Sequence, residues 1–328
     1  MIISKTPFRV SFCGGGSDLP EFYTQAGYGA VVTSAIDKFV YLAIHRFFEP
    51  RFVLKYSQTE DAESIDVIKH PLIRECLRFA GTTEHVEITS FADIPSTGSG
   101  LGSSSAFSVG LINALLSMQG RMPSHETCAA GACEVEIDKL GEPIGKQDQY
   151  AAAYGGMSYL RFNSDGSVHV DPIILDRPTR TALDDRLLLF FTGVTRKASG
   201  ILDEQRRNIV SDPRAFDNLC RMRDQADDLR AALAEGDIDA IGTAMHEGWM
   251  RKKQMASGVT SPAFDSIYET ARAAGALGGK ILGAGGGGFF LFYVEPQCRQ
   301  AVIDSLTHLR HIDFCLERQG TRIIYVGD

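Results

Sequence analysis

The spacing of apolar positions divides the chain into two parts. In the first, short β-branched and apolar runs recur at residues 8–13, 30–35, 40–44, 52–56, 86–89 and 157–162, and each predicts a strand. Between them Ala106, Val109, Leu111, Ile112, Leu115 and Leu116 repeat at helical spacing, with serines before them as favoured N-caps. Residues 125–139, rich in alanine and cysteine and free of proline, predict a second helix with small residues on most faces. A strand at 187–192 then gives way to long polar helices between residues 199 and 275, for example 216–234 and 238–256. Strands return at 280–282 and 289–294, and a last one at 322–326 is open to pairing with either part. The change of pattern near residues 180–190 divides the chain into domains 1–185 and 186–328, an α+β architecture with the site in the cleft between two mixed layers.

Composition narrows the partners. The chain has 328 residues, 44% hydrophobic and 23% charged, enough for two cores. A net charge of −8 gives no general attraction to nucleic acid or to an anionic membrane, so an anionic ligand must be held by local basic groups. Seven cysteines without a C-x-x-C pair suit buried thiols in a reducing compartment. With no signal-like start and no apolar run of spanning length, the cytoplasm is the expected location.

Three glycine-rich turns carry the chemistry. Pro95-Ser96-Thr97-Gly98-Ser99-Gly100-Leu101-Gly102-Ser103-Ser104-Ser105 precedes the first helix, where backbone N–H groups and the helix dipole together favour a phosphate. No lysine lies between its last glycine and the serines, so it is not a Walker loop. A second cluster, Gly283-Ala284-Gly285-Gly286-Gly287-Gly288, satisfies G-x-G-x-x-G but leads into an aromatic, strand-like run instead of a helix, which argues against a dinucleotide site. Five glycines within these six residues point to close approach of the backbone to a ligand or to a neighbouring loop. The third turn, Cys13-Gly14-Gly15-Gly16-Ser17-Asp18, leaves a strand containing Arg9 and ends in a carboxylate.

Two acidic positions complete the set. Glu136 falls on a face of small apolar residues in the 125–139 helix, where an unpaired charge is costly and a metal ion would relieve the cost. Glu134, on another face of the same helix, is its rival. Twelve residues after Glu136 comes Asp148, in Gly145-Lys146-Gln147-Asp148-Gln149-Tyr150. After the 187–192 strand, Arg196 and Lys197 stand at the start of a helical tract, where two cations oppose the dipole unless they face an anion.

Pro-x-x-x-Gly-Leu-Gly-Ser-Ser resembles the second signature of the GHMP kinases. The turn around Gly285 is similar to their third, and the Arg9-to-Asp18 segment to their first, although Gly14, Gly15 and Gly16 stand where the galactokinase type has Gly-Glu-His. The resemblance implies a two-domain fold, with an N-terminal mixed α/β layer domain that binds nucleotide and a C-terminal ferredoxin-like α+β domain with extra helices. It implies ATP and Mg²⁺ as cofactors, with ATP phosphates on Pro95, Gly98, Ser99, Gly100, Leu101, Gly102, Ser103, Ser104 and Ser105, and with the metal on Ser104 and Glu136. Asp148 becomes the active-site aspartate, with Arg9 and Lys146 offsetting charge at the phosphoryl group or on Asp148. Gly15, Gly16, Ser17 and Asp18, with Gly285, Gly286 and Gly287, fall to the substrate, and Arg196 and Lys197 to a phosphate on it.

Residues 54–57, 70–74, 145–156 and 283–289 are further similar to the D-glycero-α-D-manno-heptose 7-phosphate kinases. These use ATP to phosphorylate the anomeric oxygen, giving a 1,7-bisphosphate on the route to nucleotide-activated heptose for surface polysaccharide such as lipopolysaccharide or capsule. The expected partners are therefore ATP and a small-molecule sugar phosphate, with no nucleic acid and no membrane; a homodimer is compatible with this reading. The competing expectations are a kinase of a free sugar such as fucose and a non-catalytic sugar sensor on the same scaffold.

Overall fold

The structure is a computed structural model in which residues 1–94, 98–195 and 199–327 are described. The first layer opens with β1 (Ile2–Cys13), α1 (Pro20–Ala26), β2 (Tyr28–Arg46), β3 (Phe52–Lys55), β4 (Thr59–Ala62), α2 (Pro71–Phe79) and β5 (Val86–Ala92). It continues through α3 (Ser103–Met118), α4 (His125–Cys133), a π-helical turn (Glu134–Lys139), α5 (Gln147–Tyr154), β6 (Met157–Asn163), β7 (Val168–Pro172) and α6 (Arg177–Asp184). The second contains β8 (Leu187–Phe191), α7 (Ser199–Ser211), α8 (Pro213–Ala234), α9 (Ala240–Lys252), α10 (Pro262–Ala273), β9 (Ala276–Ile281), β10 (Phe289–Val294), α11 (Arg299–Ser305) and β11 (Arg310–Ile312), before β12 (Arg322–Val326) ends the chain's regular structure.

Eight strands form the first sheet, in the order β12-β1-β2-β5-β3-β4, with β6 on β2 and β7 on β6. The apolar runs at 30–35 and 40–44 are one strand, β2, of 19 residues. Its first half pairs with β6 (Ala30↔Arg161) and its second with β5 (Leu42↔Ser90), while β1 runs beside both. Asp37 and Lys38, which interrupt the apolar pattern, sit at the crossover. Here the register with β1 shifts between Pro7 and Phe8, and Asp37 accepts the Cys315 amide at 3.0 Å. The polar break thus marks a change of partner, not the end of the strand.

Helix α3 lies across this sheet. Twelve of its sixteen residues are buried, so it is apolar nearly all round, as expected of a central helix. Gly110 lets it approach β1 closely: a Cβ there would stand 2.6 Å from Thr6 Oγ1, and the Gly110 carbonyl accepts the Ser4 hydroxyl at 2.9 Å.

The second sheet is antiparallel, in the order β11-β8-β10-β9. Every residue of β10 is buried, and Trp249, Tyr268 and Phe264 pack from α9 and α10 onto Phe290 and Phe292. This is a ferredoxin-like α+β layer with extra helices, and the whole is a two-domain GHMP-kinase-like architecture. Strand β12 returns to the first sheet, antiparallel to β1 (Ile2↔Val326). We propose that 1–185 and 186–328 act as two domains, the terminal strand of the second being docked on the first. Among the described residues no helix is long and apolar enough to cross a membrane.

Gly110→Ala should lower unfolding stability by about 1–3 kcal/mol through overpacking against Thr6, read from the denaturant midpoint. Gly200→Ala in α7, where a Cβ meets nothing within 4 Å, should be neutral or stabilise by up to about 1 kcal/mol.

Candidate active site

The phosphate loop is described from Gly98 onward. Gly100 and Gly102 take φ of 75° and 74°, in the left-handed region that side chains disfavour. At Gly102 a Cβ would stand 3.3 Å from both Asp148 Oδ2 and Arg9 Cγ, so the loop needs glycine here for space as well as for conformation. Gly102 is also the N-cap of α3, in place of the expected serine. The serine hydroxyls are engaged elsewhere: Ser99 and Ser103 bond each other at 2.7 Å, and exposed Ser104 donates to Glu136 Oε1. The first helical bond runs from Ala106 N to Gly102 O, leaving the amides of Ser103, Ser104 and Ser105 without intrahelical acceptors at the positive end of a 16-residue helix. Leu101 is buried, and its carbonyl accepts the Arg9 amide at 3.1 Å.

Arg9 lies on β1 with its guanidinium beneath this loop. Its Nε and Nη2 reach the two oxygens of Asp148, each at 2.6 Å, and Nη1 reaches the Gly100 carbonyl at 2.6 Å. This forked ion pair orients the carboxylate. Asp148 sits in the first turn of α5, where the dipole favours a negative charge, and its side chain keeps 25% exposure. It is therefore the member of the pair that a substrate can touch.

Glu136 is buried behind Ser104. The helix expected over 125–139 is α-helical only to Cys133 and then widens into the π turn, a local irregularity that often marks functional positions. On this turn Glu136 points inward and accepts Ser108 Oγ at 3.1 Å and Gln149 Nε2 at 2.7 Å on its other oxygen. Burial pushes its carboxyl up from the usual range, and the four surrounding donors, Ser104 first, oppose that shift. Glu134 is half-buried and pairs with Lys139 at 3.4 Å, whereas Glu136 is the one in contact with Ser104. Among the described residues no three His, Cys, Asp or Glu side chains converge to hold a metal unaided. A hydroxyl and a carboxylate in contact instead suit Mg²⁺, which takes few protein ligands and completes its shell with phosphate oxygens and water.

Asp18 is buried at the N-terminal end of α5. It accepts Gly16 N at 2.9 Å and both the amide and the side chain of Gln147 at 3.3 Å. Burial raises its pKa, the Gly16 amide lowers it, and the nearby Asp148 charge raises it further. Gly15 and Gly16 border Asp18, and a Cβ on Gly15 would lie 3.6 Å from Gln147 Nε2.

At three of the expected positions the groups are engaged within the fold. The Ser17 hydroxyl is fully buried, donates to the Gly14 and Ala30 carbonyls and accepts the Ala30 amide, so it struts the turn and does not face a ligand. Lys146 donates to the Gly166 carbonyl at 2.6 Å and makes no described contact with Asp148. Gly285, Gly286 and Gly287 pack on loop backbone: Gly286 N bonds Val259 O at 2.9 Å, and Cβ atoms on Gly285 and Gly287 would lie 2.7 Å from Val259 O and 2.8 Å from Val194 O. Their close approach is to neighbouring loops. Pro95, Arg196 and Lys197 lie outside the described residues.

Family models for the GHMP kinases match both layers, the N terminal domain model over residues 67–156 and the C terminal model over 229–308. A mevalonate kinase of Methanothermobacter thermautotrophicus is 31% identical over 237 residues, 71% of this chain and 72% of that one. The chain belongs to the GHMP kinases. It is accordingly a phosphotransferase. This GHMP kinase is also 28% identical to the D-glycero-alpha-D-manno-heptose 7-phosphate kinase of Campylobacter jejuni, over 98% of both chains. A solved structure titled D-glycero-D-manno-heptose 1-phosphate kinase, from Bacteroides thetaiotaomicron, superposes with a TM-score of 0.82 at 26% identity, covering 100% of each chain.

Sequence reasoning missed two side chains of the GHMP kinase site, Lys252 and Lys280, both buried near Arg9. A signal existed. Lys252 continues the buried stripe Ile241, Met245, Trp249 of α9, where a lysine is out of place. Gln149, which donates to Glu136, was likewise part of a quoted motif without a role.

Gly145→Ala should disturb the site, because its Cβ would fall 2.0 Å from Asp18 Oδ2 and 2.8 Å from the Asp18 carbonyl. A loss of about 1–3 kcal/mol is expected in thermal unfolding, against little change for Gly15→Ala, the more open position.

Proposed function

We propose that this GHMP kinase transfers the terminal phosphoryl group of ATP to the anomeric hydroxyl of a D-glycero-D-manno-heptose 7-phosphate, giving the 1,7-bisphosphate. One observation carries the phosphoryl-transfer half. The only partly exposed carboxylate of the Arg9–Asp148 pair lies directly against Gly102, at the mouth of the phosphate loop. An acceptor oxygen held by Asp148 would thus face the end of a nucleotide held by the loop.

Phosphoryl transfer asks a protein mainly for alignment and charge compensation. The exposed amides at the start of α3 would take phosphate oxygens. Ser104 Oγ and Glu136 Oε1 would hold Mg²⁺, which neutralises phosphate charge when bound. Asp148 would accept a hydrogen bond from the acceptor hydroxyl and align it. As the new oxygen–phosphorus bond forms and the bond to the departing ADP oxygen breaks, the hydroxyl proton would pass to Asp148. A hydroxyl is far less acidic than a carboxylic acid, so that transfer comes late. Arg9 keeps Asp148 oriented throughout.

The sugar rests on softer support. The Gly14-Gly15-Gly16 turn departs from the galactokinase type, and the relative that matches 98% of both chains is named for heptose 7-phosphate. Asp18, beside Gln147, would take a sugar hydroxyl, and Arg196 with Lys197 the distal phosphate. The product would supply nucleotide-activated heptose synthesis, a cytoplasmic role. A free sugar such as fucose is the second reading; under it, Arg196 and Lys197 are replaceable.

ATP consumption over a panel of heptose, hexose and pentose phosphates and the corresponding free sugars tests this reading. Turnover is expected with the heptose 7-phosphate, and preference for an unphosphorylated sugar would overturn the substrate. In Asp148→Asn, kcat should fall on the order of 10²–10⁴-fold with ATP binding retained; unchanged kcat would eliminate Asp148 as the base.

A further inference from the structure

Two lysines of the second layer are buried at its seam with the first and do nothing in the reaction as described so far. Lys252 ends α9 and is 7% exposed; Lys280 lies on β9 and is 4% exposed. An ammonium carries three donors and is costly to bury without a counter-ion. Among the described residues each has one hydrogen bond, to a neutral oxygen: Lys252 to the Gly283 carbonyl and Lys280 to the Ser11 hydroxyl at 3.1 Å. Neither forms an ion pair with a described residue.

The charges around them do not balance. The charges near enough to act on Lys252 are those of Arg9, Asp18 and Asp148, and the groups near enough to act on Lys280 are Lys252, Arg9, Asp18 and Cys13. Burial holds the Cys13 thiol neutral, pushing it up to about 12. Asp148 is engaged by the Arg9 fork, and Asp18 by three N–H donors. With both lysines protonated, three cationic side chains share two carboxylates that are already committed. Burial, followed by the Arg9 charge, lowers Lys252 to about 8; burial, followed by Lys252, lowers Lys280 to about 7. The pocket lacks one anion.

Position indicates which anion is missing. Gly283, which holds the Lys252 ammonium, lies against the phosphate loop: its Cβ would stand 2.8 Å from Gly100 Cα. Gly100 in turn accepts Arg9 Nη1. Lys252 thus reaches the place where the phosphate loop meets Asp148, the path of the group being transferred.

We propose that Lys252 is a further catalytic residue, whose ammonium donates hydrogen bonds to the phosphoryl group in transit between nucleotide and acceptor, with Lys280 behind it as a positioning residue. No bond is made or broken at Lys252, and its proton stays on nitrogen. Charge on the phosphoryl oxygens favours the protonated amine, so nucleotide binding should draw a proton onto it from solvent. The proposal rests on the phosphoryl-transfer reading and is independent of which sugar is the acceptor.

The test is an NMR pH titration of the full chain carrying lysine labelled with ¹³C at Cε, with the Lys252 signal assigned from Lys252→Arg. The chain is titrated alone and then with Mg²⁺ and a non-hydrolysable ATP analogue. Lys252 is expected to titrate near pH 8 alone and at least about one unit higher with the analogue. An unchanged titration would overturn the proposal. In parallel, Lys252→Met should lower kcat on the order of 10²–10³-fold with the KM for ATP little changed, and Lys252→Arg should recover most of it; kcat within about twofold of the parent in Lys252→Met would overturn the proposal as well. The titration uses the unaltered chain, so misfolding of a variant does not blunt it. Failure of every sugar phosphate to react would sink the substrate assignment alone, because the analogue needs no sugar.

Discussion

The forked ion pair between Arg9 and Asp148 is the contact on which the site depends. It joins the first strand of the sheet to the first turn of α5, and through Arg9 Nη1 it also ties in the Gly100 carbonyl of the phosphate loop. Three segments far apart in sequence thereby share one buried guanidinium. Removing Asp148 would leave the buried Arg9 guanidinium without its counter-ion, a larger penalty than loss of an exposed pair. Each guanidinium nitrogen of Arg9 makes one holding bond, whereas Asp148 keeps the exposed edge. The division between a buried anchor and an accessible side chain gives a carboxylate that is oriented before any substrate arrives.

Around that pair, glycine does structural work that no side chain could do. Gly102 leaves room for Asp148, Gly145 for Asp18, and Gly100 and Gly283 for each other across the two layers. The Gly283–Gly288 turn therefore acts mainly as a spacer: its backbone packs on the Ser99 and Val194 carbonyls and brings β9 and β10 up to the phosphate loop. Contact between layers is made by backbone at this seam, which allows two lysines from the second layer to enter a site otherwise built by the first.

Much of this was legible along the chain because it is local. Apolar runs located most strands, the spacing of Ala106 to Leu116 located α3, and glycine next to serine and acid marked the three turns. The sequence left Glu134 and Glu136 as rivals, and it is Glu136 that lies in contact with Ser104. What escaped depends on partners distant in sequence. Continuity of β2 past Asp37 requires β5, β6 and the segment at Cys315. Ser17 and Lys146 carry polar groups that suit a ligand in isolation, yet both bond to backbone carbonyls brought in by the fold. Lys252 was hidden for the opposite reason: a helix pattern shows that a position faces inward, but not what charge waits there.

The account stands on convergence of the acceptor oxygen, Asp148 and the nucleotide's terminal phosphate. Its most direct test is a crystal structure of the chain with magnesium, a non-hydrolysable ATP analogue and heptose 7-phosphate. The anomeric oxygen should lie within about 3.2 Å of Asp148, in line with the terminal phosphorus above the start of α3. A sugar bound away from Asp148, with Arg9 and Asp148 still paired and the analogue in the loop, would contradict it.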